Sequence, residues 1–206
     1  ILAQKPNGEH SKDAASSVVV AYKKLLNIKR SKTVGSTIAG GAGNSGENLT
    51  PKPISKPKQK FIEANKRYLK YVRGQSIETD ISYDIALIYF DANQFDKAIP
   101  RFKDIAENKP NHELAVYAAN YLLDSYVLLK DYTALNAAAA SLSSRFAPDA
   151  HPALSARMTD IKQNATFNKC LDIEGKGKRI AAAECFLRYA QEFPESKYLA
   201  KAFLNA

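Results

Sequence analysis

Tryptophan is absent from the sequence, cysteine occurs twice and histidine three times. Cys170 and Cys185 are too few for a disulfide framework, or for a zinc site with its usual four ligands. His10, His112 and His151 lie far apart in the chain. His112 and His151 stand near predicted helix starts, where a polar residue is unremarkable. No apolar run reaches the roughly 18 residues that a membrane helix needs. No serine sits in a nucleophile elbow, and no paired carboxylates stand out from solvated helix faces. Asp80 and Asp84, at i,i+4 spacing, read as surface charge. The Gly-rich run between 30 and 58 has no GK[ST], so it lacks the lysine and hydroxyl of a phosphate-binding loop. Together these absences leave no catalytic constellation, no cofactor or metal site and no small-molecule substrate site. The expected class is non-enzymatic.

What is present is a globular composition, 45% hydrophobic, with a net charge of +9. The charge is uneven. Residues 1–73 hold 15 Lys and Arg against 4 acidic residues, and residues 74–206 hold 15 against 17. A basic N-terminal third can mark a contact with nucleic acid or an anionic membrane surface, and it can equally be a solvated face with a lysine-rich linker. The chain starts at Ile1 and ends inside an apolar pattern, KYLAKAFLNA, which suggests a section of a longer protein.

The best-defined stretch is 79–110, TDISYDIALIYFDANQFDKAIPRFKDIAENKP. Ile85, Ala86 and Tyr89 share one helical face, and Phe95, Ala98, Phe102 and Ile105 share another. Asn93 marks a turn between them, and Pro110 ends the second helix. A hairpin this small cannot bury both apolar faces alone, so neighbours of the same kind are expected.

This stretch resembles a tetratricopeptide repeat. That family's pattern of small and aromatic positions is met by Ala86, Tyr89, Asn93, Phe95, Ala98, Phe102, Ile105 and Pro110. The family's first aromatic is missing: Ser82 stands there, with Tyr83 one place on. The resemblance implies an all-α solenoid of antiparallel helix pairs, wound as a right-handed superhelix.

The rest of the chain can be laid on the same frame. Residues 13–73 read as a divergent repeat. Its first helix carries Val19 and Tyr22, and its second carries Phe61, Ala64, Tyr68 and Tyr71. A flexible Gly/Pro-rich insertion, 30–58, separates them, at an entropic cost that grows only slowly with length. Alternatively, 13–28 is a separate element and 59–73 a bare capping helix. Residues 76–110, 112–148 and 152–194 form the following repeats, with Asn111 as N-cap of the third, and Ser196 caps a last helix over 196–206. Repeat length and the phrase RYAQEFPESKYLAKAF resemble bacterial periplasmic proteins of outer-membrane assembly and the Tol–Pal coordinators. That resemblance implies a periplasmic or envelope location, with a cytoplasmic one as the alternative.

In such arrays the first helices line a concave groove that takes an extended peptide or a helix. Mapped here, the groove residues are Tyr83, Leu87, Phe90 and Asp91, then Tyr117, Asn120, Asp124 and Val127. The alternative is that a tightly wound array packs these residues against a neighbour. Lysine and asparagine at two of these positions mark chaperone-binding members of the family; Tyr83 and Leu87 occupy them here, which argues against that role. The expected partners are polypeptides, with nucleic acid or anionic lipid second. The aromatics Phe61, Tyr68 and Tyr71, interleaved with lysines, are the candidate base-stacking residues for that second case. Cys170 and Cys185 fall on facing helices of one hairpin. They form either a staple suited to an oxidising compartment or a pair of small buried residues.

Overall fold

A computed structural model describes residues 10–26, 49–71 and 77–206. Among these the elements are nine α-helices: α1 (Ser11–Leu25), α2 (Lys56–Tyr71), α3 (Ile77–Asp91), α4 (Phe95–Asn108), α5 (Ala115–Leu129), α6 (Tyr132–Ser143), α7 (Pro152–Gly175), α8 (Arg179–Glu192) and α9 (Leu199–Asn205). The protein is all-α over this range. It divides into two compact units, Ile1–Leu128 and Leu129–Ala206. The division falls inside the span assigned to the 112–148 repeat. Residues 1–9 and 27–48, the latter most of the expected insertion, lie outside the described residues.

In the first unit the α3–α4 hairpin is the centre. Glu78 and Asp80 sit in the first turn of α3, where acids complement the helix dipole. The helix ends in a Schellman motif: Gln94 N–H donates to the Tyr89 carbonyl and Asn93 N–H to that of Phe90. Asn93 takes the left-handed conformation this turn requires, at φ 56°. Ala86 and Ala98 are fully buried, so the two backbones approach closely, and Phe102 and Ile105 fill the space beside them. Pro100 lies inside α4 on its exposed side and removes one ladder hydrogen bond. Helix α5 covers this pair through Tyr121, whose ring stacks on Phe102 at 5.2 Å. Asn111 does not cap α5. The helix starts later, at Ala115, and His112 Nδ1 accepts from Leu114 N–H instead.

Helices α1 and α2 pack on each other, and Lys23 of α1 pairs with Asp84 of α3. Asp84 is therefore no surface charge: it is buried. Helix α2 starts at Lys56, inside the segment expected to be irregular. Its buried face is Phe61, Ile62, Asn65 and Tyr68, while Ala64 is only half-buried. Phe61 and Tyr68 lie inside as expected, but Ile62 and Asn65 take the place expected for Ala64, so the buried face is shifted by less than one residue. Residues 49–55, read as flexible, are tied to the α3–α4 turn. Lys52 N–H donates to the Ala92 carbonyl at 2.8 Å, Gln94 Nε2 to Lys52 at 2.9 Å and Asn93 Nδ2 to Thr50 at 3.3 Å.

In the second unit Asp131 caps α6 by accepting from Ala134 N–H. Pro152 opens α7 at a position where its missing N–H costs nothing. Helix α7 is long enough to pack against α6 and against α8. The α7–α8 turn repeats the Schellman pattern, with Lys178 N–H to Ile173, Gly177 N–H to Glu174 and Gly177 at φ 75°. The core is Phe167, Cys170, Phe186, Tyr189 and Phe193, closed by Ala202 of α9. Helix α9 begins at Leu199. Ser196 holds its entry by accepting from Tyr198 N–H and bonding the buried Tyr189 hydroxyl.

Candidate functional site

The eight residues placed by sequence on a groove belong to α3 and α5 of the first unit. The structure gives them different surroundings. Tyr83, Leu87, Asn120 and Asp124 are buried; Phe90, Tyr117 and Val127 are half-buried; Asp91 is exposed. Tyr83 has no exposed surface and packs edge-on to Phe102 and Tyr121. Asn120 Nδ2 donates back to the Val116 carbonyl at 3.0 Å. Asp91 pairs with Lys58 of α2 at 3.6 Å.

Tyr121 draws several of these together. Its ring meets Phe90 at 5.0 Å and Tyr83 at 6.2 Å. Its phenol is pushed above the ordinary tyrosine value, first by burial and then by the negative charges of Asp91 and Asp124. Sequence reasoning passed over Tyr121. The signal that could have found it is its i,i+4 spacing from Tyr117, which continues an aromatic stripe along α5. The accessible part of this surface is Phe90, Asp91, Tyr117, Tyr121 and Val127: amphipathic aromatics beside a carboxylate, a composition suited to contact with another polypeptide.

Cys170 and Cys185 are joined by a disulfide, with Cα atoms 5.5 Å apart. It links α7 to α8 across the core of the second unit. The three histidines stay apart: His112 accepts from Leu114 N–H just before α5, His151 packs its ring on Phe146 at 5.3 Å, and His10 precedes α1. Among the described residues no group of three or more His, Cys, Asp or Glu could hold a metal ion. Nor is any helix among them long and apolar enough to cross a membrane.

The described part of the basic region is carried mostly by α1 and α2. Lys24, Lys56, Lys60, Lys66 and Arg67 are exposed, and none makes an ion pair with another described residue. Phe61 and Tyr68, two of the three expected base-stacking aromatics, are buried and offer no ring face to a base. The side chain of Tyr71 lies outside the described residues. Between the two helices runs a shallow cleft of about 180 Å³, lined by Ala15, Val18 and Tyr22 of α1 and by Lys60, Glu63, Ala64 and Arg67 of α2.

Comparison of the chain with family models, with curated proteins and with solved structures finds no match.

Proposed function

We propose that the chain is part of a tetratricopeptide-like helical array, and that it acts as a non-enzymatic scaffold binding partner polypeptides in a multiprotein assembly. The observation that carries the repeat reading is a coincidence of backbone and frame. Asn93, Lys130 and Gly177 are the described residues with positive φ. Each occupies the turn position of one repeat when the resemblance at 79–110 is extended along the chain. Lysine pays a steric cost in that conformation, so its presence there reflects a turn imposed by the helices on either side.

The binding reading is supported by the half-buried aromatics of α3 and α5 beside the exposed Asp91. The disulfide favours an oxidising compartment, in keeping with an envelope location. A test uses the native source. Cross-linked partners captured by the full chain are compared with those of a Tyr117→Ala, Asp91→Lys variant, whose changes lie outside the fully buried core. Loss of specific partners is expected; an unchanged set overturns the α3–α5 surface.

A second reading, in which the basic α1 and α2 helices bind an anionic surface, is supported by their exposed cations, none of which pairs with another described residue. It predicts binding of nucleic acid or acidic lipid that weakens steeply with salt.

A further inference from the structure

We propose that the α1–α2 cleft is a docking site for an acidic amphipathic helix of another protein. The proposal rests on the scaffold reading above and names a surface and a partner chemistry for it.

The cleft has the form of a helix seat. On α1, Ala15, Val18, Tyr22 and Leu25 follow one another at spacings of three and four, so they form one stripe along the helix. On α2, Lys60, Ala64 and Arg67 do the same. Ala15 and Ala64 make a low floor, and Val18 and Tyr22 make an apolar wall. Val18 is 40% exposed and Leu25 71% exposed, so this stripe continues as uncovered apolar surface. Small residues flanked by larger ones present a groove that a helix ridge can enter.

The chain shows how it fills comparable seats. The α3–α4 pair receives Tyr121 of α5 against Phe102 and Phe90. The α7–α8 pair receives α9, with Tyr198 stacked on Phe167 at 4.9 Å and Ala202 buried. In the α1–α2 pair, α3 takes one side through Asp84. No described helix occupies the cleft on the other.

Charge selects the occupant. Lys60 and Arg67 stand on the α2 rim of the cleft, against a single acid, Glu63. A partner helix with an apolar ridge and carboxylates on its flanks satisfies both features: the ridge enters between the walls, and the carboxylates meet the rim cations. An acidic bilayer fits less well, because the apolar part is concave and its floor is alanine. A nucleic acid fits less well, because Phe61 and Tyr68 face inward.

The test uses synthetic peptides of one design, with leucine at helical i, i+3, i+4, i+7 spacing and either glutamate or lysine on the flanks. Binding of each labelled peptide to the full chain is read by fluorescence anisotropy at low and high salt. Equimolar phosphatidylcholine–phosphatidylglycerol vesicles and single-stranded RNA serve as competitors. The glutamate peptide is expected to bind, and Lys60→Glu with Arg67→Glu to weaken it by about tenfold or more. The same double variant is expected to gain affinity for the lysine peptide, a gain that mere unfolding cannot produce. Val18→Asp is expected to abolish binding of the glutamate peptide, with the helical circular dichroism signal and unfolding midpoint of the variant near those of the parent.

Failure of the glutamate peptide to bind, indifference of its binding to the rim variants, or its full displacement by vesicles or RNA overturns the proposal. Loss of peptide binding with Tyr117→Ala in place of the cleft variants also overturns it, while leaving the broader scaffold reading in place.

Discussion

Lys23 Nζ lies 2.9 Å from a carboxylate oxygen of Asp84, whose side chain is 2% exposed. The pair ties α1 to α3, two helices far apart in sequence. A carboxylate so removed from water depends on the charges and donors around it, and losing one of them costs more than the pair is worth on the surface. Lys23 is itself 37% exposed, so solvent screens part of the attraction. Lys23→Ala is expected to destabilise the protein by about 1–2 kcal/mol in urea unfolding. Adding Asp84→Ala should cost less than the sum of the single changes. Strict additivity in this cycle would show that the pair carries no coupling.

The disulfide should be the strongest single staple of the second unit. It closes a loop between residues 15 apart, and both cysteines are buried in the core beside Phe167 and Phe186. Loop closure of this length contributes about 3 kcal/mol by restricting the unfolded chain. Native protein purified without reductant is expected to show no titratable thiol. Reduction, or Cys170→Ala with Cys185→Ala, should lower the unfolding midpoint by a corresponding amount. Two reactive thiols and an unchanged midpoint would remove the staple from the account.

Alkaline pH offers a probe of the aromatic surface. The Tyr121 phenol is raised by burial and by Asp91 and Asp124, and the Tyr189 phenol is raised by burial against the opposing hydrogen bond of Ser196. An acid whose folded value is raised keeps its proton longer in the folded state than in the unfolded chain. The contribution of these two phenols to stability is therefore full below the ordinary tyrosine value of 10.0 and falls away as pH rises beyond it. Tyr121→Phe is expected to flatten part of that fall. Absorbance titration of tyrosinate should show one fewer late-ionising group in the variant than in the parent.

The α3–α4 hairpin was legible because its information is local. Helical spacing marked Ala86, Ala98, Phe102 and Ile105, and a turn residue marked Asn93; all five behave as their positions imply. Other features depended on contacts between distant segments. Asp84 looked like surface charge because its neighbours in sequence do not reveal Lys23. The strap at 49–55 looked mobile because composition cannot report that Lys52 finds the Ala92 carbonyl. On α2, helical spacing from Phe61 and Tyr68 put Ala64 inside, yet its neighbour Asn65 lies on nearly the same side. Packing chose Asn65 for the interior. The cysteine pairing stayed open for a related reason: two facing buried positions suit a bond and suit plain packing equally well.

That choice of Asn65 leads to the last prediction. Its Nδ2 donates to the Phe61 carbonyl at 2.8 Å, one turn back on α2, while its buried Oδ1 has no partner among the described residues. Exchanging the two amide atoms would not help, because the Phe61 carbonyl needs a donor. An orphaned carbonyl in this position costs about 1–3 kcal/mol. Asn65→Leu, close in size and without polar atoms, is expected to raise stability by about 1 kcal/mol. Asn65→Asp, which places a charge in the same pocket, should lower stability more than any neutral change there. Thermal unfolding of the three proteins should therefore rank Leu above Asn above Asp. If Leu instead falls below Asn, the amide is fully bonded in solution and α2 is held by a polar contact rather than weakened by one.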